Sequence, residues 1–366
     1  MAIGITPPSL DLLGALGLDG PFIDAGVRIR AVTVFELGRA VGRLSFESID
    51  DRYPFILSLP QFETIRLLRA RALSISRIRI LDGLWVKSIE LHGDRVRVHA
   101  EDAEKGSELQ LVAACAAICD GARGELGSKL GFAKRGHAYK PGFRMGDFID
   151  RTELGEAAHL YFGPERPVES FPLPGGKRRW IVRSSVGGRS DLQESLCAAV
   201  RRLTGHIVSE SDQIDESEFR PRFALARAYH RGRIALCGDC AHVMSPIGGQ
   251  GMNTGFADAA LLAHAFHEAL SGRGTFDDWM RRYRAERIRA FRIAARRAAA
   301  GMWLGVLRGD LASMARGALI SFLLRDRTAH DYLARWFMMR SLPRARTRME
   351  HGASSHVESA SRHATV

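Results

Sequence analysis

The 366-residue sequence is poor in lysine, in cysteine and in long apolar runs. No window approaches the roughly 18 uncharged apolar residues that a bilayer-spanning helix requires. The longest late apolar run, Gly317 to Leu324, is far too short. The N-terminal stretch MAIGITPPSLDLL has no basic region ahead of an apolar core, so no secretory signal is expected. Five cysteines, an odd number in a long chain, argue against a disulfide scaffold and point to a reducing, cytoplasmic setting. There is no zinc-finger spacing, RRM signature or basic-region zipper, so nucleic acid is not an expected partner. What remains is an ordinary globular composition, 46% hydrophobic and 26% charged, long enough for about two domains.

The net charge of +12 has one address. Met280 to Glu350 holds 17 arginines, no lysine and 5 acidic residues, which equals the whole excess. The plainest expectation is a solvated, arginine-rich helix face. A weaker one is contact with an anionic membrane surface, because residues 301–326 interleave apolar side chains with arginine as interfacial helices do.

Along the chain, Pro7 and Pro8 precede a short amphipathic helix. Val27 to Val41 is strand material, and Pro60 opens a helix over QFETIRLLRARAL. Strands are expected at Arg77–Ile80, Leu84–Leu91 and Arg95–Ala100, the last two joined by a glycine turn. Leu109 to Cys119 reads as one apolar strand ending at Asp120-Gly121. Residues 137–230 mix strands and loops around a helix in ESLCAAVRRLTGH. Helices are expected from about Met252 to Leu270 and from Met280 to Leu304. Residues 345–366 are polar and small and read as a disordered tail.

The segment Arg233 to Phe266, RIALCGDCAHVMSPIGGQGMNTGFADAALLAHAF, carries the strongest pattern. A buried strand ends at Gly238 and Asp239. Pro246, Gly248, Gly249 and Gly251 then allow close backbone approach to a ligand, and a helix starts at once. The free N–H groups and partial positive charge of that helix terminus suit an anion or a polarised carbonyl. Asp239, at the strand end, can accept hydrogen bonds from ligand hydroxyls.

Gly238-Asp239, Ala241-His242, Pro246, Gly249-Gln250-Gly251, Asn253 and Asp258-Ala259 together closely resemble the second flavin motif of FAD-dependent monooxygenases of the aromatic-hydroxylase (para-hydroxybenzoate hydroxylase-like) family. Cys119-Asp120-Gly121-Ala122-Arg123 resembles that family's DG motif, with Gly124 and Gly127 where Ser and Arg are usual. Gln61 sits where the family commonly has Arg or Gln. The resemblance implies cofactor contacts at Gln61, Asp120, Gly121, Gly238, Asp239, Pro246, Gly249, Gln250, Gly251, Met252 and Asn253. Within that set, Asp239 is expected on the ribityl chain and the Gly249–Met252 backbone at the flavin pyrimidine edge. It implies FAD as cofactor, NADPH or NADH as co-substrate, and hydroxylation of an aromatic or polyketide-like small molecule with O2. No side-chain acid or base is nominated, because the flavin carries that chemistry, and no metal site is expected. Cys237 and Cys240 form a CxxC, but they lack a second ligand pair and read as small buried residues.

The implied fold is mixed α/β. A flavin domain of the glutathione-reductase-like type is expected over 1–26, 57–136 and 229–285, an antiparallel-sheet substrate domain over 27–56 and 137–228, and C-terminal helices over 286–344. The resemblance begins directly after Met1. The family's strand, GxGxxG turn, helix and acid-ended strand precede that point and have no counterpart here. Either the start codon is set too far downstream or the gene is a true truncation. This leaves a non-catalytic member that does not retain FAD as one alternative. A membrane-associated hydroxylase or reductase of a lipid or quinone is the other.

Overall fold

The structure, a computed structural model, describes residues 2–140, 142–184, 194–245, 249–304 and 309–341, with backbone alone for 301–304. Pro246 and the expected tail at 345–366 lie outside the described residues.

The chain opens with a strand, Gly4–Ile5, and a helix, Pro7–Ala15, that begins with two prolines. Proline costs little there, because first-turn N–H groups have no intrahelical partner. A second helix, Asp19–Ala25, follows. Leu10, Leu13 and Phe22 pack with Tyr53, Leu57 and Leu59 into one core. The strand Ile56–Ser58 pairs antiparallel with both Gly4–Ile5 and Val27–Ile29. The helix expected after Pro60 spans Gln61–Leu73.

The run 109–119 is two strands rather than one. Glu108–Ala113 completes a three-stranded antiparallel sheet with Leu84–His92 and Arg95–Asp102. Ala116–Ile118 instead pairs parallel with Ile234–Leu236. Arg77–Ile80 forms no strand. Its residues alternate in type, but nearly all are exposed, so no buried face rewards pairing.

The largest sheet has seven strands. In spatial order they are Gln213–Phe219, Phe143–Ile149, Lys177–Arg183, Val168–Leu173, Ala158–Phe162, Ala31–Glu36 and Arg39–Ser45. Ala158–Phe162 and Ala31–Glu36 pair parallel, so the expected antiparallel sheet is mixed at that one ladder. One face packs Phe148, Tyr161 and Trp180 against Val200 of the helix Leu196–Thr204. That helix is bounded by a Ser195 cap, which accepts from the Ala198 N–H, and by Gly205 at φ 80°. The other face is turned toward the rest of the molecule and lines a cavity.

Helices Phe276–Leu304, Asp310–Arg325 and Arg327–Phe337 are the last elements among the described residues. Their arginines are not all solvated, which corrects the charge-based expectation. Arg316 is buried and donates to both oxygens of buried Glu36 (2.6 and 2.7 Å). Arg340 donates to Asp51 (2.5 Å) and pairs with Asp11. Arg287 is buried as well. Two expected domain edges cut regular elements: 56/57 falls inside the strand Ile56–Ser58, and 285/286 inside the helix Phe276–Leu304. The outer side of Asp310–Arg325 leaves Leu311, Met314, Leu319 and Phe322 exposed. No described helix is long and apolar enough to cross a membrane.

Candidate functional site

The strand Ile234–Leu236 is wholly buried, and the chain leaves it through a tight turn at Gly238–Cys240. Gly238 sits at φ +68°, a conformation that a side chain would strain. Its N–H donates to Asp258 Oδ2 (3.1 Å). Asp258 lies on the helix Gln250–Leu270 and is fully buried. His242 donates to the same oxygen (2.6 Å), and Arg287 donates to Oδ1 (2.5 Å). Burial alone would raise the Asp258 carboxyl, but His242 and Arg287 outweigh it and hold it below the usual carboxylate range. One carboxylate thus locks the strand end, the following strand and two helices. Arg287, at the centre of this lock, was not singled out in the sequence.

The helix Gln250–Leu270 starts from Gly249 in the left-handed region (φ 64°), and no side chain caps it. Its first N–H groups have no intrahelical partner. A Cβ placed on Gly249 or Gly251 would meet no atom within 4 Å, so bare backbone faces open space. Asn253, one turn on, is buried and fully committed to the protein. It accepts from the Thr6 N–H (2.9 Å) and the Ser9 hydroxyl (2.7 Å), and donates to the carbonyls of Gly4 (2.9 Å) and Gly249 (2.8 Å). It therefore braces the glycine turn against the N-terminal strand. Gln250 is buried too, and its Oε1 has no partner among the described residues.

A cavity of about 940 Å³ joins this turn to the large sheet. Gln61, Gly238, Asp239, Gly249, Gly251 and Met252 line one side. Val34, Met145, Leu160, Phe171 and Ile181 line the other, and Trp336 and Phe337 of the last helix contribute a third wall. Asp239 is open to the cavity, yet desolvation between the walls raises its carboxyl. A lone carboxylate so placed gains from ligand hydroxyls. Three charged groups on the sheet side, Arg179, Arg183 and Glu169, carry no motif in the sequence. Arg179 is held by Asp147 through two hydrogen bonds (2.6 and 2.8 Å). Glu169 lines the wall, and burial pushes its carboxyl up to about 7.

Four expected contacts do not line the cavity: Asp120, Gly121, Gln250 and Asn253. Asp120 and Gly121 follow the neighbouring parallel strand, one step across from Gly238. Asp120 Oδ2 accepts the Leu126 N–H (3.1 Å) at the start of a short helical turn. A Cβ on Gly124 would come within 1.9 Å of the Asp120 Cγ, so a serine there requires another Asp120 conformation. Cys237 and Cys240 are buried, and the Cys240 thiol donates to the Ile118 carbonyl (2.6 Å), tying the two strand ends together.

Residues 1–298 match the FAD binding domain family. The chain belongs to the FAD-binding-domain family. Among relatives, a 6-methylpretetramide 4-monooxygenase of Streptomyces rimosus is 28% identical over 91% of this chain and 61% of that protein. A pentachlorophenol 4-monooxygenase of Sphingobium chlorophenolicum is 31% identical over 69% of this chain and 48% of that protein. The chain thus spans about half to three-fifths of these relatives' length. The solved OxyS anhydrotetracycline hydroxylase of Streptomyces rimosus superimposes with TM-score 0.72 at 25% identity, covering 94% of this chain and 69% of that one. The p-nitrophenol 4-monooxygenase PnpA of Pseudomonas putida superimposes with TM-score 0.84, covering 94% and 89%; at 19% identity it speaks to the fold alone.

Do the residues present fit the family's FAD? The uncapped helix start, the side-chain-free backbone at Gly249 and Gly251 and the Asp239 carboxylate fit a polarised ring edge and a polyol chain. The sequence contains no GxGxxG for the pyrophosphate. The fit therefore covers the ring and ribityl half of the cofactor.

Proposed function

We propose that the chain holds the flavin ring and the substrate of an FAD-dependent monooxygenase. The enzyme would hydroxylate a small aromatic or polyketide-like molecule with O2, using NADPH or NADH as reductant. One observation carries this reading: the glycine turn with Asp239 and the apolar face of the seven-stranded sheet border a single cavity. A flat redox cofactor and an apolar ring could lie face to face there. The names of the two monooxygenases and of the hydroxylase described above support the same reaction class.

FAD, when bound, supplies the transfer of reducing equivalents and the activation of oxygen. The chain's own part is binding and exclusion. Asp239 accepts hydroxyls of the ribityl chain. The N–H groups of Gly251 and Met252, at the positive end of the helix, favour negative charge on the ring edge. Gln61 contributes a polar contact at the start of its own helix. Leu160, Phe171, Ile181, Trp336 and Phe337 shed water around the substrate. Asp258, with His242 and Arg287, keeps the turn rigid and touches neither ligand.

Purified chain supplied with FAD, NADPH, isotopically labelled O2 and a panel of phenols tests the reaction. Product heavier by one labelled oxygen atom is expected. NADPH oxidation that yields only hydrogen peroxide with every phenol, or no oxidation at all, would contradict the assignment.

A further inference from the structure

Glu169 stands among apolar side chains on a cavity wall that Arg179 and Arg183 of the neighbouring strand also line. On the strand Val168–Leu173, Ser170 is buried on the packed side and Val168 packs with Tyr161 and Trp180 while also bordering the cavity; Glu169 and Phe171 alternate onto the cavity side. The register sets Leu160 and Ile181 directly beside Glu169 on the two neighbouring strands. Met145 lies one strand further, opposite Ile181. Other carboxylates of this sheet have cations: Asp147 holds Arg179, Glu36 holds Arg316 and Asp150 holds Arg178. Glu169 has no hydrogen bond or ion pair to any described residue, and desolvation alone shifts it. A desolvated carboxylate without a partner is costly as an anion; it takes up a proton, or gains from a hydrogen-bond donor that a ligand supplies.

We propose that Glu169 is the specificity contact for a hydroxyl on the aromatic ligand, accepting its O–H and selecting hydroxylated rings over ethers or bare hydrocarbons of the same shape. This rests on the aromatic-ligand reading above. A site built to receive a ligand hydroxyl rejects analogues that lack it, because the buried acceptor is then left unpaired. The residue pattern fits that demand. Leu160, Ile181 and Phe171 offer area to a ring, and one acceptor fixes its orientation.

The ionisation of Glu169 gives the contact a signature. Its carboxyl, pushed up to about 7, is protonated below that pH and a full acceptor above it. An ordinary phenol stays neutral up to a pKa near 10. The other charged groups on the cavity are few. Arg179, held by Asp147, and Arg183, which has partners of its own, come from the adjacent strand. Arg297 comes from the long helix, while Asp239 and His242 lie on the glycine-turn side. The strand Ala158–Phe162 and the last two helices present only apolar side chains to the cavity.

The test uses 2-naphthol and its methyl ether, which has the same ring and no donor. Both are titrated by fluorescence into FAD-supplemented protein between pH 6 and pH 8. Wild type should bind naphthol about tenfold tighter at the higher pH, as expected when the carboxylate form of a group with pKa near 7 does the binding. The ether should bind with no pH dependence. Glu169→Gln should bind naphthol at one affinity across the range. Glu169→Leu, which suits the apolar neighbours, should lose the preference for naphthol over the ether. If naphthol keeps its pH dependence in Glu169→Gln, or the ether shares it in wild type, Glu169 is not the contact and the aromatic reading still stands. If neither compound binds at any pH, that reading falls and the assignment falls with it.

Discussion

Asp258 sits at the junction of everything that shapes the glycine turn, though it reaches no ligand. Its two oxygens receive Gly238, His242 and Arg287 in a fully buried position. Removing one partner of such a group leaves buried charge uncompensated. Asp258→Ala should therefore lower stability by roughly 3–5 kcal/mol, read as the shift of a urea midpoint, whereas a loss under about 1 kcal/mol would show that the network adds little. His159 gives a second residue-scale prediction. Burial, with Arg178 nearby, depresses its pKa to about 4. The unfolded chain binds that proton below about 6.5, so this contribution is complete above pH 6.5 and is lost as pH falls toward 4. The loss is roughly 3 kcal/mol in all. His159→Asn should flatten stability over that range; an unchanged slope would show that another group causes it.

At the scale of the element, the helix Gln250–Leu270 works through its bare start. Gly251 has no atom within 4 Å of an added Cβ, so Gly251→Val should fold with little loss of stability. The new side chain would occupy the place assigned to the flavin edge, so FAD affinity should fall at least tenfold. Equal affinity in the two proteins would move the ring elsewhere. The helix itself was plain in the sequence, because a glycine turn, an apolar period and a preceding buried strand all agree. The same holds for Gln61–Leu73, announced by Pro60. The partition of 109–119 into two sheets was not legible, since both halves are apolar and only tertiary pairing separates them. Asn253 fell within a ligand motif, but its geometry is that of a brace, which depends on where the N-terminal strand lies. Glu169 was missed for a related reason. Its alternation with Phe171 was visible, but which face meets a cavity is decided by strands far away in sequence.

At the scale of the whole molecule, the C-terminal helices are wall as well as surface. Ile320, Leu324, Trp336 and Phe337 line the cavity, and Arg316 fastens them to Glu36 at a sheet strand. The arginine excess, visible as composition, gave no hint that Arg287, Arg316 and Arg340 are internal anchors. Arg316→Ala should strand Glu36, lower stability by about 3–5 kcal/mol and speed proteolytic cleavage within 310–337. Unaltered cleavage would mean that packing alone holds these helices.

Flavin binding in the cavity beside Asp239 is the property from which the proposed function follows. Purified chain is mixed with FAD, desalted and its visible spectrum recorded, for wild type and for Asp239→Ala. A flavin band retained by wild type and absent from a folded Asp239→Ala protein is the predicted result. A colourless wild type, or equal retention by both proteins, would contradict it.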